Sequence, residues 1–219
     1  MARFGHPLWF LCLLRRNIFA RLNEACIFRS GGTVAVFTRL AIPDVVLIQP
    51  VRHGDARGYF CETYKKPQFD AFGLDLAFVQ DNESLSREVG VVRGLHFQTP
   101  PMAQAKLVRA VRGAIFDVAV DIRRGSPSFG KWVAATLTAE KGEQLFIPHG
   151  FAHGFCTLEP DTLIAYKVDA PYARENDAGI AWDDPALAID WPVGPGGAVL
   201  SDKDRVQPRL RDISSPFVL

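Results

Sequence analysis

Ala114-Ile115-Phe116-Asp117-Val118-Ala119-Val120-Asp121 is an unbroken run of strand-forming residues, with Gly113 before it and Gly125-Ser126-Pro127 shortly after. Branched and aromatic side chains favour the pleated backbone, while glycine and proline punctuate it with turns. Its alternation of apolar and polar residues is only partial, as in a strand of a two-layer core. Outward from this run, residues 45–48, 78–80, 106–111, 132–137, 144–147, 155–158 and 163–168 read as strands on the same grounds. Helical signal is confined to 67–72 and 185–188. Many short strands at close spacing predict an all-β sandwich or barrel, best matched by a jelly roll with short peripheral helices.

The 219 residues suit one ordinary domain, and 48% apolar with 22% charged residues is a globular composition. Residues 1–40 carry six arginines against one acid, Glu24, a balance of +5 in a chain whose total is +1. The remaining residues therefore hold −4, and a mildly acidic body argues against nucleic acid as a partner. Residues 8–14 form an apolar run followed by Arg15-Arg16, far too short to span a bilayer. No convincing signal-peptidase site follows, although the arginine-rich, acid-poor character resembles an organelle transit peptide. Residues 1–40 are accordingly expected to be an N-terminal extension, disordered or mis-started, ahead of one domain at 41–219. Cys12, Cys26, Cys61 and Cys156 show no C-x-x-C spacing, which predicts reduced thiols and a cytoplasmic setting.

Two histidines stand out. His96 lies in Arg93-Gly94-Leu95-His96-Phe97-Gln98, and His153 in Pro148-His149-Gly150-Phe151-Ala152-His153-Gly154-Phe155. A lone imidazole in a strand-like apolar stretch is costly to bury without a partner. Leu95 and Phe97 should face away from His96, because side chains alternate along a strand. Either histidine alone reads as readily structural as functional; two in matching contexts point to a shared cavity. Imidazole is the natural base near neutral pH. Gln98 stands two residues after His96 and no nearby glutamate completes a metal triad, so proton transfer is expected and metal ligation is not. Lys106 alone reads as a solvated cation and Tyr166 as a core or rim aromatic. Arg57 and Arg93 adjoin glycines, where a guanidinium can reach a phosphate in bidentate fashion. The chain contains no Walker loop, dinucleotide fingerprint, G-x-S-x-G elbow or H-E-x-x-H helix.

Read in order from about Ile42 to Asp204, several strings together resemble the dTDP-4-dehydrorhamnose 3,5-epimerase family. They are Gly54-Asp55-Ala56-Arg57-Gly58-Tyr59-Phe60, Phe78-Val79-Gln80-Asp81-Asn82-Glu83-Ser84, the His96 and His153 segments, Phe116-Asp117-Val118-Ala119-Val120-Asp121-Ile122-Arg123 and Trp182-Asp183-Asp184-Pro185. The resemblance implies a cupin-type double-stranded jelly roll, a homodimer, and no metal or organic cofactor. Its substrate would be dTDP-4-dehydro-6-deoxy-glucose, on the route to dTDP-L-rhamnose. By match of motif His96 would be the base, Asp204 its orienting carboxylate, Tyr166 the acid on the opposite face and Lys106 the cation near the ketone oxygen. Arg57, Glu62, Gln80, Asn82, Arg93, His153, Tyr172 and Lys203 would hold the nucleotide and diphosphate. His149 and Asp177 depart from the residues usual in the family, near the presumed ligand side.

Other readings use the same residues differently. A 3-only or 5-only epimerase, or a 3,4-ketoisomerase, could employ the same histidine. A metal-dependent cupin oxygenase would need a ligand set such as His96, His149 and His153, and Gln98 disfavours it. A sugar-nucleotide-binding module with decayed catalysis is disfavoured because His96, Lys106 and Tyr166 all stand.

Overall fold

A computed structural model describes residues 25–27 and 35–219. The described strands form two large antiparallel sheets. The first has β1 (Ala25–Ile27), β2 (Val36–Arg39), β3 (Val46–Gln49), β11 (Gln144–Ile147), β8 (Lys106–Arg112), β13 (Thr162–Val168) and β6 (Gln80–Ser86), in that spatial order. The second runs β10 (Trp132–Thr138), β9 (Ala114–Asp121), β12 (Phe151–Thr157), β7 (Val92–Gln98) and β14 (Asp177–Gly179). A separate hairpin joins β4 (Arg52–Asp55) to β5 (Gly58–Cys61). The described helices of α type are α1 (Lys66–Phe72) and α2 (Asp202–Arg205).

The period of two along each strand decides what faces the space between the sheets. Ile115 and Ala119 of β9, Phe151 and Phe155 of β12, Val108 of β8 and Ile164 of β13 join one buried cluster drawn from both sheets. Val118 and Val120 point the other way, into a second cluster closed by Leu187, Trp191 and Leu210 of the C-terminal segment. Strand β9 is thus buried on both faces, which explains its imperfect alternation. A third cluster packs α1, through Phe69, against Phe37, Ile48, Leu107 and Phe146 on the outer side of the first sheet.

The structure departs from the sequence reading in four places. The strand expected at 78–80 lies instead at 80–86 as β6; as an edge strand it needs no continuous apolar face, so Gln80-Asp81-Asn82-Glu83-Ser84-Leu85-Ser86 gives little strand signal. The mostly exposed β4–β5 hairpin also lies outside the expected strands. Residues 185–188 form a turn instead of a helix: the buried Asp184 carboxylate accepts from the backbone N–H of Ala186 and of Leu210, and Ala188 has φ 47°. Finally, Val36–Arg39 pairs with β3 and buries Phe37, so the sheet begins ahead of residue 41. Of the expected extension, residues 1–24 and 28–34 lie outside the described residues.

Candidate active site

Parity along the strands carries the polar residues to one place. Leu95 and Phe97 belong to the outer cluster, so His96 between them faces the opposite sheet. His153 shares its parity with Phe151 and Phe155, and Asp117 with Ile115 and Ala119. Lys106 and Tyr166 share theirs with Val108 and Ile164 on the facing sheet. Where the apolar core ends, His96, His153, Lys106 and Tyr166 line a cavity of about 210 Å³, whose wall also includes Arg93, Lys203 and Asp204, with Asp117 buried behind His153.

Two glycines make the histidine pair possible. His96 and His153 are direct register partners on β7 and β12, and the register shifts just beyond, before Phe155. A Cβ on Gly94 would sit 2.5 Å from the Gly154 Cα, and one on Gly154 would sit 2.9 Å from the Arg93 carbonyl oxygen. Only a residue without a side chain permits that approach, which accounts for the glycines beside both imidazoles.

Each histidine has its own carboxylate. His96 Nε2 lies 2.5 Å from Asp204 Oδ1, and Ser201, at the N-cap of α2, donates from Oγ to Asp204 Oδ2 at 2.9 Å. Burial by itself would raise the Asp204 carboxyl, but the hydrogen bonds from His96 and Ser201 and the nearby Lys203 hold it below its ordinary value. An ionised carboxylate can only accept, so the His96 proton sits on Nε2 and Nδ1 is left as the basic nitrogen. His153 Nε2 lies 2.6 Å from Asp117 Oδ1, and both groups are buried. Burial pushes the His153 pKa down, Lys106 and His96 push it the same way, and Asp117 only partly opposes this. The second Asp117 oxygen is buried with no hydrogen-bond partner.

Lys106 is buried, and its Nζ reaches the His96 carbonyl oxygen only at 3.4 Å. Burial lowers its pKa to about 8, with the carboxylates of Asp117 and Asp177 opposing the shift and Lys203 adding to it. Burial raises the Tyr166 phenol, against the pull of Arg93. Tyr166 also lines a neighbouring cavity together with Asn82, Asp81 and Arg109.

The remaining expected residues fall into two groups. Arg93 is aimed by Ser86 Oγ and the Leu85 carbonyl, and Gln80 binds both Asn82 and the backbone N–H of Tyr172. Tyr172 and Lys203 both bond Asp177. Of these, Arg93 and Lys203 line the first cavity and Asn82 the second, and hydrogen bonds tie Asp177, Tyr172 and Gln80 to them. Arg57 and Glu62 line neither cavity: the Arg57 side chain is 90% exposed and pairs with Asp55, and Glu62 pairs with Lys65. His149 pairs with Asp169 at 2.9 Å, and that hydrogen bond raises its pKa against burial. Among the described residues, no three His, Cys, Asp or Glu side chains are grouped so as to hold a metal ion.

Sequence reasoning missed the roles of Asp117 and Ser201 in this arrangement. An acid inside Ile115-Phe116-Asp117-Val118 signals a buried partner, and Ser201-Asp202-Lys203-Asp204 has the spacing of a capping motif.

Comparison with known proteins agrees with this geometry. Residues 39–212 match the family model described as dTDP-4-dehydrorhamnose 3,5-epimerase. A protein of that name from Sinorhizobium fredii is 55% identical over 190 residues, covering 85% of this chain and 97% of its own. Among solved structures, the Bacillus anthracis enzyme of that name, with TDP and PPi bound, superposes with a TM-score of 0.77 at 47% identity, over 80% of this chain and 99% of its own. A Legionella pneumophila dTDP-6-deoxy-D-glucose-3,5-epimerase in complex with dTDP-4-keto-L-rhamnose gives 0.79 at 42% identity, over 82% and 95%.

Proposed function

The chain belongs to the dTDP-4-dehydrorhamnose 3,5-epimerase family, whose members are cupin-like jelly-roll isomerases, and from that premise we propose how its cavity inverts C3 and C5 of dTDP-4-dehydro-6-deoxy-glucose. The C4 ketone acidifies the hydrogens at both neighbouring carbons, yet each stays a weak carbon acid. Removing one needs a base in contact and a stabilised enolate. His96 Nδ1 takes the proton, and the ionised Asp204 holds the tautomer and then balances the imidazolium. Such a positioned base contributes roughly 10²–10⁴-fold. The Lys106 ammonium faces the developing enolate oxygen, where one preorganised donor is worth about 3 kcal/mol. Tyr166 returns a proton to the other face of the sugar, and the configuration inverts. The observation that carries this reading is that His96 and Tyr166 stand on facing sheets of one cavity, with Lys106 lining the same cavity and its Nζ 3.4 Å from the His96 carbonyl oxygen.

In the same reading Arg93, Lys203, Tyr172, Gln80, Asn82 and His153 hold the nucleotide and diphosphate. Arg57 and Glu62 belong with them only through a second copy. The β4–β5 hairpin leaves the large aromatics Tyr59 and Phe60 exposed, a surface suited to a homodimer partner, and it would carry Arg57 to that partner's site. The unpaired thiols Cys61 and Cys156 fit a cytoplasmic location.

Incubation with dTDP-4-dehydro-6-deoxy-glucose in deuterium oxide, followed by NMR, tests the reaction. Deuterium at C3 and C5 is expected. Label at one carbon alone would make the protein a single-position epimerase, and label at neither would contradict the proposal.

A further inference from the structure

One carboxylate at the cavity mouth has no part in the chemistry above. Asp177 opens β14, paired in register with Gln98 at the end of the strand that carries His96. Its Oδ2 accepts from Lys203 Nζ at 2.5 Å and from the Tyr172 hydroxyl at 3.1 Å. Both donors are about half exposed, whereas the Asp177 side chain is 18% exposed beneath them. The other mouth cation, Arg93, is oriented by neutral oxygens alone, from Ser86 and Leu85. Of the two cations, then, one is free to meet an anion and the other is already neutralised from inside the protein.

We propose that Asp177 is a specificity-setting counter-anion: in the ligand-free site it holds Lys203 and Tyr172, and a phosphate group of the substrate must displace it to bind. The inference rests on the proposed sugar-nucleotide substrate. Its physical basis is direct. A single carboxylate oxygen satisfies an ammonium and a phenol, the two kinds of donor that an anionic phosphate oxygen would also recruit. The carboxylate keeps both donors preorganised, while its charge cancels that of the Lys203 ammonium a phosphate would meet. Lys203 and Asp204 are adjacent on α2, so the same ion pair also anchors the short helix that presents the His96 partner.

Calorimetric titration with dTDP separates the effect of this charge from that of the scaffold. Asp177→Asn keeps a side-chain carbonyl to accept from Lys203 and Tyr172 but no longer neutralises the ammonium. It should bind dTDP roughly two- to fivefold tighter, the range of a partly exposed charge pair. Asp177→Glu should stay near wild type. In a Lys203→Met background the gain from Asp177→Asn should vanish, because there is no ammonium left to release. Asp177→Ser gives the same reading should the Asn variant fail to fold. Unchanged or weaker binding by Asp177→Asn, or a gain that persists without Lys203, would overturn the inference while leaving the proposed function intact. Failure of the wild-type protein to bind dTDP would overturn both.

Discussion

The two histidine–aspartate pairs are chemically alike and stand on neighbouring strands, yet their surroundings assign them different work. The His96 side chain is 29% exposed and opens on the cavity, and its Asp204 partner is reached from a helix cap at the rim. The His153 side chain is 8% exposed and Asp117 is fully buried, inside the sheet-to-sheet core. Exposure lets His96 meet a bound substrate directly. Burial keeps His153 neutral, a fixed hydrogen-bonding group beside the cavity. Under the proposed mechanism, what separates the base from a binding residue is access to water and substrate, since the partner chemistry is the same.

Substitutions can break that contrast, beginning with the largest effect. Asp204→Asn should lower kcat by about 10²–10⁴-fold with little change in melting temperature, because the amide no longer fixes the His96 tautomer. Equal loss of stability in that variant would show that Asp204 is structural. Tyr166→Phe should slow product formation roughly a hundredfold while exchange of substrate hydrogens with solvent continues. Unchanged product formation would remove Tyr166 from its role. Asp117→Ala should instead act on folding: removing one member of a buried pair costs about 3 kcal/mol, readable in a denaturant titration. The smallest effect is with pH. The Lys106 ammonium is present below about pH 8 and is lost as pH rises through it, so kcat/KM should fall on that alkaline side. A profile flat to pH 10 would place Lys106 outside the reaction.

Much of this contrast was legible before any coordinates. Leu95 and Phe97 around His96 placed its ring on the opposite side of the strand, and the matching context of His153 pointed to a shared cavity. The partners were harder to read. Asp204 lies 108 residues from His96, and only the closing of α2 against β7 brings them together. Asp117 looked like one acid among 24, although its apolar neighbours marked it as buried. Elements without an apolar inner face left the weakest trace: β6 alternates in burial but its inward residues Asn82, Ser84 and Ser86 are polar, and the β4–β5 hairpin is mostly exposed. Residues 185–188 misled in the opposite sense, because Asp184 spends its carboxylate on a single turn and on Leu210, which ends any helix there.

The central claim, that His96 removes hydrogen from carbon beside the ketone, is tested most directly by His96→Asn incubated with dTDP-4-dehydro-6-deoxy-glucose in deuterium oxide. The variant should keep its fold and bind dTDP, yet incorporate no deuterium at C3 or C5 within the time the wild-type protein labels both. Incorporation at the wild-type rate would mean that another group is the base.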